Sequence, residues 1–279
     1  MIKPGPDGSA SGLTVLVTGA TGGIGLEIAR QLSASGATVL VGGRDAARTR
    51  AAVEAVAREG GRAEPFLADL AVLAEARAAA ARLLEGHPRL DVLVNNAGVT
   101  SWRRRTTPEG HERTWATNVL APALLTRLLA PALLAAPRPR VVNVGSEAHR
   151  RARLAWDDLE LRRGYGPWRA YARSKLALLL LTRAQARREP RIAANVVHPG
   201  LVATPIWRVI PWPLRPLALR RFAPPAKGAE PIVRAAVDPA LDGVTGRYFF
   251  RWKEAEPSAA ARDDAAADRL WALVERALA

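Results

Sequence analysis

Two polar side chains in the chain are spaced so that they can take part in one proton transfer. Tyr171 and Lys175 lie four residues apart within 168–188, a strongly apolar segment with helical periodicity. Residues at this spacing project from the same helical face, so the ammonium lies beside the phenol. A phenol has an ordinary pKa of about 10, and a nearby positive charge favours its ionised form. The pair therefore predicts acid–base chemistry at Tyr171, with Lys175 lowering the pKa of the phenol.

A glycine-rich segment near the start of the chain has the composition of a phosphate-binding loop. It follows an apolar, β-branched run at 13–18, opens into a helical pattern, and reads Thr18-Gly19-Ala20-Thr21-Gly22-Gly23-Ile24-Gly25. Glycines between a strand and a helix allow a sharp turn and bring backbone N–H groups and the helix dipole close to a pyrophosphate. With a strand before it and a helix after it, the segment predicts a dinucleotide site.

The elements that must position these residues alternate between strand and helix. Strand patterns occupy 13–18, 38–41, 63–67, 90–94, 140–144, 191–197 and 244–250. Helical patterns occupy 22–33, 46–59, 71–85, 108–134 and 168–188. Alternation of this kind specifies a parallel sheet with helices on both faces, and strands buried on both sides lack period-two alternation. The sequence predicts a single-domain, doubly wound α/β fold of the Rossmann type with seven parallel strands.

Short motifs follow the glycine segment, whose spacing is TGxxxGxG, at the ends of successive predicted elements. In order they are Asp69-Leu70, Asn95-Asn96-Ala97-Gly98, Asn118, Ser146, Tyr171-Ala172-Arg173-Ser174-Lys175 and Pro199-Gly200. In this order they resemble the short-chain dehydrogenase/reductase family, from about residue 13 to the C-terminus. The segments 171–188, 146–149 and 246–248, with Leu270-Trp271, look like the retinol-dehydrogenase-like branch of that family.

The resemblance implies an oxidoreductase that interconverts a carbonyl compound and an alcohol. It implies that Ser146 hydrogen-bonds the substrate oxygen that Tyr171 protonates, and that Lys175 also holds the nicotinamide ribose. It carries over Asn118 as the support of a proton relay through water. Together with the glycine loop, it assigns cofactor binding to Gly19, Thr21, Gly23, Ile24, Gly25, Arg44, Asp69, Leu70, Asn96, Ala97, Gly98, Tyr171, Lys175, Pro199, Gly200, Val202 and Thr204. Gly145 departs from the family, because a serine is common at this position in related proteins.

The choice of cofactor depends on the residue at the end of the second predicted strand. Arg44 stands 19 residues after Gly25. At about this distance an acidic residue binds the ribose 2′-hydroxyl in NAD sites, whereas an arginine accommodates the 2′-phosphate of NADP. Because a guanidinium suits phosphate, Arg44 predicts NADP(H) over NAD(H). Asp45 leaves the alternative open, since a shift of one residue would present a carboxylate instead.

The composition of the 279-residue chain excludes several other classes of site. The absence of cysteine excludes a disulfide framework, a thiolate zinc site and a cysteine nucleophile. The four histidines lack metal-like spacing, so no metal site is predicted. The 41 basic and 26 acidic residues give a net charge of +15. The arginine pairs are scattered along the chain, however, so no specific nucleic-acid partner is expected.

The sequence also predicts where the protein is located and whether it forms oligomers. Residues 1–12 are rich in Gly, Pro and Ser, lack the apolar core of a signal peptide, and are interpreted as a flexible leader. A spanning helix needs about 20 apolar residues, and no such segment is found. A cytoplasmic protein is therefore expected. The apolar excess of the segments 108–134 and 168–188 predicts a homo-oligomer, a dimer or a tetramer, as the resemblance also implies.

Residues 204–225 are the one irregular stretch, with Trp207, Trp212 and six prolines. They are interpreted as a substrate loop that favours bulky apolar carbonyl compounds, although the arginines at 208, 215, 220 and 221 favour an acidic substrate or a membrane surface instead. Three other functions are alternatives for this sequence: a non-catalytic dinucleotide-binding regulator, a sugar-nucleotide epimerase of the extended class and a basic nucleic-acid-binding protein. The first conflicts with the intact Ser146, Tyr171 and Lys175, and the second with the chain length.

Overall fold

The computed structural model describes residues 10–203 and 222–279, and its strands form one sheet. In chain order the strands are β1 Thr14–Val17, β2 Thr38–Gly43, β3 Arg62–Leu67, β4 Val92–Asn95, β5 Arg140–Val144, β6 Ala193–His198, β7 Tyr248–Phe250 and β8 Lys253–Glu254. They lie side by side in the order β3-β2-β1-β4-β5-β6-β7-β8. β1 to β7 are parallel, whereas β8 pairs antiparallel with β7.

The eighth strand corrects the prediction of a seven-stranded parallel sheet. β8 has two residues and follows a tight reversal at Arg251 and Trp252, where Arg251 has a φ of 57°. A two-residue strand is too short to show a hydrophobic period, so the sequence did not reveal it. The predicted seventh strand, 244–250, is also shorter than expected, because pairing begins at Tyr248.

Helices connect the strands. They are α1 Gly23–Ala34, α2 Ala46–Ala57, α3 Leu73–Gly86, α4 Arg113–Trp115, α5 Ala121–Leu128, α6 Ala130–Leu134, α7 Pro167–Arg188, α8 Pro225–Val237 and α9 Asp264–Leu278. The sequence predicted α1, α2, α3 and α7 but not α8 or α9. Of the helices in the described ranges, none combines the length and the apolar character that a membrane crossing requires.

The single helix predicted at 108–134 is instead divided. It starts at α4, where the Glu112 carboxylate accepts hydrogen bonds from the N–H groups of Thr114 and Trp115. A π-helical segment, Ala116–Leu120, joins α4 to α5. The backbone remains helical from α4 through this segment into α5, and the N–H of Ala121 donates to the Ala116 carbonyl. Pro122 therefore lies within a continuous helical stretch, and Pro131 lies in the first turn of α6.

Successive residues of the central strands belong to two different hydrophobic clusters. Leu16 and Leu93 pack in a cluster with residues of α3, α5, α7 and α9. Their neighbours Val15 and Val92 pack in a cluster with residues of α1, α2 and α8. Because successive side chains of a strand point to opposite faces, both sides of each central strand are buried. This explains why the strands read as continuous apolar runs.

Two terminal segments differ from expectation. Ala10, within the predicted leader, is fully buried, and its N–H donates to the Ser35 carbonyl at 3.2 Å. At the other end, α9 packs on α7, and Arg183 donates to both carboxylate oxygens of Asp264 at 2.8 and 3.0 Å. Much of the apolar surface of α7 that suggested an oligomer is therefore covered within the chain.

The sheet places the predicted functional segments at one edge. In parallel strands the carboxyl ends lie on the same side, which is where ligands bind in open α/β sheets. The glycine segment follows β1, Arg44 follows β2, Asn96 follows β4, Ser146 follows β5 and Pro199 follows β6. The fold therefore gathers residues that are far apart in the sequence.

Candidate active site

The loop after β1 has no room for side chains at two of its glycines. A Cβ atom on Gly25 would lie 2.3 Å from the Gly19 carbonyl oxygen and 2.4 Å from Asn96 Nδ2. Gly19 has a φ of 65°, and a Cβ atom there would lie 2.9 Å from the Cα atom of Ala97. These close approaches require glycine at both positions. The bare backbone of the loop faces the cleft described below.

Asn96 and Ala97 fix this loop from the neighbouring strand. Asn96 Nδ2 donates to the carbonyl oxygens of Thr18 and Gly19 at 2.8 and 3.3 Å. The hydroxyl of Thr18 accepts from the N–H groups of Asn96 and Ala97, both at 3.0 Å. The side chain of Asn96 is thus engaged with the protein backbone. Thr18, which the sequence analysis did not single out, supports the loop.

A cleft of about 620 Å³ runs along the carboxyl edge of the sheet, within the usual range for small-molecule sites. Gly22 precedes α1 without a side-chain cap from any described residue, and the first turn of α1 has no acidic side chain. The N–H groups at this helix start are thus available to an anion. The tight glycine loop and the uncapped helix fit the pyrophosphate of a dinucleotide.

Exposed arginines form one end of the cleft, here called the arginine end and defined by Arg44 and Arg48. The Arg44 side chain is 57% exposed, and its Nη1 lies 4.0 Å from Asp69 Oδ2. Arg48 lies one helical turn further, in α2. The sequence analysis missed Arg48, although it lies in the first turn of the helix predicted at 46–59, close in sequence to Arg44.

Asp45 is engaged in the fold at this end. Its carboxylate accepts a hydrogen bond from the N–H of Arg48 at 2.8 Å and so caps α2. Its backbone carbonyl accepts from the hydroxyl of Thr49 at 2.7 Å. The Asp45 carboxylate, which could have bound the ribose, thus caps the N-terminus of α2. Asp45 is absent from the described lining of the cleft.

The opposite end of the cleft, here called the tyrosine end, is defined by Ser146, Tyr171 and Lys175. Tyr171 and Lys175 come from α7, and Ser146 from the loop after β5. The Ser146 hydroxyl oxygen accepts from the N–H of Ala148 at 3.2 Å, because Ser146 caps a short 3₁₀ helix. This contact leaves its O–H free to point elsewhere as a donor.

The pKa shift of Tyr171 in its pair with Lys175 differs from the prediction. Burial raises the pKa of the Tyr171 phenol, and hydrogen bonding with Ser146 only opposes this shift. Lys175 is 4% exposed, and burial lowers its pKa to about 8. Its ammonium donates to the Val144 carbonyl at 2.8 Å and lies 5.6 Å from the centre of the Tyr171 ring. Desolvation thus sets the direction of the pKa shift of the phenol, which is opposite to the lowering predicted from Lys175.

Asn118 lies behind the tyrosine end, in the π-helical segment. Its Oδ1 accepts from the N–H of Val99 at 2.8 Å, and its Nδ2 donates to the Val99 carbonyl and to Ser174 Oγ, both at 3.0 Å. A Cβ atom on Gly98 would lie 3.7 Å from both Asn118 Oδ1 and Lys175 Nζ. π-Helical turns occur often at functional sites. Asn118 thus joins the loop after β4 to α7.

Comparison with known proteins decides the family. A model described as short chain dehydrogenase matches residues 13–211. The chain belongs to the short chain dehydrogenase family. Retinol dehydrogenase 14 of Homo sapiens is 37% identical over 296 residues, which cover 98% of this chain and 88% of that protein. Polyprenol dehydrogenase of Mus musculus is 42% identical over 275 residues, which cover 94% of this chain and 82% of that protein. The dehydrogenase lies in the retinol-dehydrogenase-like branch.

A solved structure supports the same assignment. The angucycline C-6 ketoreductase LanV with bound NADP is 28% identical, has a TM-score of 0.69, and covers 88% of this chain and 96% of its own. The chain is therefore an oxidoreductase that acts on a carbonyl/alcohol pair and binds a nicotinamide dinucleotide. The prediction of the family and of its branch from the sequence is confirmed.

The dehydrogenase brings most of its predicted site residues together. Among the described residues, all those assigned to the cofactor line the cleft, including Asp69, Leu70, Pro199, Gly200 and Val202. Asn118 does not line it and contacts the residues that do. Thr204 and the greater part of the predicted substrate loop lie outside the described residues.

Three contacts hold the Ser146 loop of the dehydrogenase in place. Gly145 donates its N–H to the Val197 carbonyl at 2.8 Å, and a Cβ atom there would lie 2.5 Å from Val196 Cγ1. A serine at this position would require the Val196 side chain to shift. His149, fully buried, lies with Nδ1 2.7 Å from the Ser146 carbonyl, and its Nε2 accepts from the N–H of Ser258 at 3.1 Å. The C-terminal segment thus supports the serine.

Among the cleft residues that the sequence analysis did not assign to the site are Arg48, Trp168, Glu147 and Leu201. Trp168 packs against Tyr171 with ring centres 5.7 Å apart. His198 also lines the cleft, and burial lowers its pKa to about 4. Trp168 precedes Tyr171 by three residues on a predicted helix, which was the available signal.

Proposed function

We propose that this short chain dehydrogenase is an NADP(H)-dependent oxidoreductase that interconverts the carbonyl and alcohol forms of a bulky apolar substrate. The observation that carries the proposal is the meeting of Ser146, Tyr171 and Lys175 at one end of a cleft whose other end holds Arg44 and Arg48. The cleft thus offers a proton-transfer group and a phosphate-binding group at its two ends.

Preference for NADP(H) rests on the arginine end. Two guanidinium groups lie where the second strand leads into α2, and a phosphate interacts more strongly with charged donors than a hydroxyl does. Asp45, which could have favoured the unphosphorylated ribose, caps the helix instead. The bound NADP of the related ketoreductase LanV supports the same choice.

The proposed chemistry uses the protonation states of the tyrosine end. NADPH, when bound, supplies the hydride that reduces the carbonyl carbon. Because burial raises the pKa of Tyr171, the phenol holds its proton at neutral pH and can donate it to the substrate oxygen. The Ser146 hydroxyl donates a hydrogen bond to the same oxygen. In alcohol oxidation Tyr171 takes the proton back.

Lys175 and Asn118 complete the proposed set. We assign the Lys175 ammonium to the nicotinamide ribose and to stabilising the phenolate that Tyr171 becomes after donating its proton, since the ammonium lies 5.6 Å from the ring centre. The contacts of Asn118 with Val99 and Ser174 give it a positioning role. The proton relay through water remains a proposal for this residue.

The substrate class rests on the mouth of the cleft. Trp168 and Leu201 line it and expose 43% and 54% of their surface. Apolar surface of this kind gains about 25 cal/mol per Å² when a ligand covers it. The names of the relatives, retinol dehydrogenase and polyprenol dehydrogenase, indicate apolar alcohols. Arg150 and Arg151 also line the cleft and favour acidic substrates instead.

A substrate panel tests the proposal. We expect NADPH to be consumed with long-chain or ring-bearing carbonyl compounds and poorly with carboxylate-bearing ones. Trp168→Ala should raise KM several-fold for the bulky compounds and leave KM for a short aldehyde nearly unchanged. Trp102→Ala is the matched control, because Trp102 is 59% exposed and is absent from the described cleft lining. A carboxylate-bearing compound as the best substrate would overturn the apolar assignment.

A further inference from the structure

A second cavity lies between α5, α6, α7 and α9, away from the cleft. It has a volume of about 240 Å³, and the described residues that line it include none that line the cleft. Its apolar walls are formed by Pro122, Leu178, Leu181, Ile192 and Trp271. A cavity of this size is too small for a helix and fits a molecule of roughly ten non-hydrogen atoms.

Gln185 is the feature that points to a ligand. It lies on α7, lines the cavity, and is only 7% exposed. Among residues 10–203 and 222–279, none forms a hydrogen bond with its side-chain carboxamide. A carboxamide has two donor hydrogens and an acceptor oxygen, and buried polar groups normally have partners. The unpaired amide therefore offers a donor and an acceptor to whatever occupies the cavity.

Other polar groups of the lining are already paired with one another. Asn143 Nδ2 donates to Thr182 Oγ1 at 2.9 Å, and Asn143 Oδ1 accepts from Asn95 Nδ2 at 2.9 Å. The Thr182 hydroxyl donates to the Leu178 carbonyl at 2.7 Å. These bonds use both functional groups of the Asn143 amide. The Thr126 hydroxyl accepts a long hydrogen bond from Asn95 Nδ2 at 3.5 Å. Gln185 is thus the carboxamide of this lining that stands ready for an external partner.

The charges at the rim have partners too. Arg127 Nη1 lies 3.4 Å from Glu275 Oε2, and Arg127 Nη2 donates to the Leu278 carbonyl at 2.8 Å. Glu189 accepts two hydrogen bonds from Arg191, both at 2.8 Å. No single unpaired charge on the rim calls for an ionic ligand among the described residues. The lining therefore favours a neutral molecule.

We propose that this cavity is a second ligand site, which binds a small neutral molecule with a carboxamide or lactam head and an apolar body. The head exchanges two hydrogen bonds with the Gln185 amide, and the body contacts Leu181, Ile192 and Trp271. The site is separate from the cofactor cleft. It shares the helix α7 with Tyr171 and Lys175, which lie about four and about three turns before Gln185.

Calorimetric titration with cyclohexanecarboxamide tests the proposal. We expect saturable binding that is unaffected by NADP⁺ at a concentration that fills the cleft. Gln185→Leu, which keeps the size but removes the amide, should weaken binding about fivefold or more. Ala123→Leu should weaken it by filling the cavity, whereas Ala135→Leu, at the end of α6 and outside the lining, should not. The isosteric anion cyclohexanecarboxylate should bind more weakly than the amide.

Several outcomes would overturn the proposal. Equal affinity of the wild type and Gln185→Leu would remove the role of the amide, and displacement by NADP⁺ would place the probe in the cleft. Absence of saturable binding to the folded wild-type chain would contradict the site itself. A second copy of the chain is the other possible occupant of the cavity, and sedimentation of the wild type and Gln185→Leu tests for it. A change of oligomeric state in the variant would make the cavity part of an interface between copies and would overturn the proposal.

Discussion

The tyrosine end of the cleft is built from buried or partly buried groups, whereas the arginine end is built from exposed side chains. Lys175 is 4% exposed and bonded to the Val144 carbonyl, and Asn118 bonds three neighbouring groups. Arg44 is 57% exposed, and its nearest carboxylate oxygen lies 4.0 Å away. The supporting side chains are therefore fixed by hydrogen bonds at the end where a proton must move. The guanidinium groups are exposed at the end where a positive charge must attract a phosphate.

This difference predicts a division of labour. Substitution at the tyrosine end should affect the chemical step, because transfer needs the reacting groups at fixed distances. Substitution at the arginine end should affect affinity, because exposed charges act through a contact that solvent and salt can weaken. Four variants, from the largest expected effect to the smallest, test whether the two ends are separable in this way.

Tyr171→Phe should have the largest effect. It removes one hydroxyl and little volume, so we expect turnover to fall by about a hundredfold or more, while NADPH affinity stays within a few-fold. Steady-state turnover and fluorescence titration of NADPH give the two numbers. A variant that keeps more than about a tenth of wild-type turnover would remove Tyr171 from the proton transfer.

Lys175→Met tests the burial at the tyrosine end through stability. Burial lowers the pKa of Lys175 from 10.5 to about 8. Between these values the unfolded chain binds the proton and the folded chain does not, so stability rises with pH through this window. Relative to Lys175→Met, the wild type should gain up to about 3 kcal/mol in its free energy of unfolding from below pH 8 to above pH 10.

Denaturant unfolding of both proteins across this range measures the difference, in which titration of the other groups cancels. A difference that is independent of pH would show that Lys175 keeps its ordinary pKa and is solvated in the folded protein.

Arg44→Asp should weaken NADPH binding at the arginine end of the cleft. It removes a charge-assisted contact with the 2′-phosphate and opposes that phosphate with a carboxylate. Such a contact is worth about 1.5 to 3 kcal/mol, so NADPH should bind roughly ten- to a hundredfold more weakly, and NADH much less so. Cofactor titrations of both proteins check this. An unchanged ratio of NADPH to NADH affinity would mean that Arg44 does not face the phosphate.

Asp45→Ala should have the smallest effect, on stability alone. Asp45 caps α2 by accepting from the N–H of Arg48, and loss of such a cap costs about 1 kcal/mol. We expect a lower free energy of unfolding and an unchanged ratio of NADPH to NADH affinity. Asp45→Asn is the control, because asparagine retains the cap. A selective change in NADH affinity would instead place the Asp45 carboxylate on the ribose.

The sequence alone predicted the residues that are determined by backbone conformation or by helical spacing. Gly19 and Gly25 were identifiable because no other residue fits where the loop meets Asn96 and Ala97. The four-residue spacing placed Tyr171 and Lys175 on one helical face. These features depend on local geometry, which a sequence pattern expresses directly.

Features that depend on tertiary contacts were harder to predict. The pKa of Tyr171 followed its desolvation in the cleft wall, which no spacing reveals. The two-residue strand β8 exists because it pairs with β7, and the helical region expected at 108–134 begins at Arg113 and contains a π-helical segment. Helix α9 was missed although its residues, such as Leu270, have helical spacing. Packing therefore decides β8 and the pKa of Tyr171, whereas the spacing of α9 was a local signal in the sequence.

The separation of the two ends is tested most directly by measuring NADPH affinity and turnover at saturating NADPH in Tyr171→Phe and Arg44→Asp side by side. Tyr171→Phe should lose turnover by about a hundredfold or more and keep its affinity. Arg44→Asp should lose affinity roughly ten- to a hundredfold and keep most of its turnover. If both variants lose NADPH affinity, or if both lose turnover, the two ends of the cleft do not separate affinity from the chemical step, and the account is wrong.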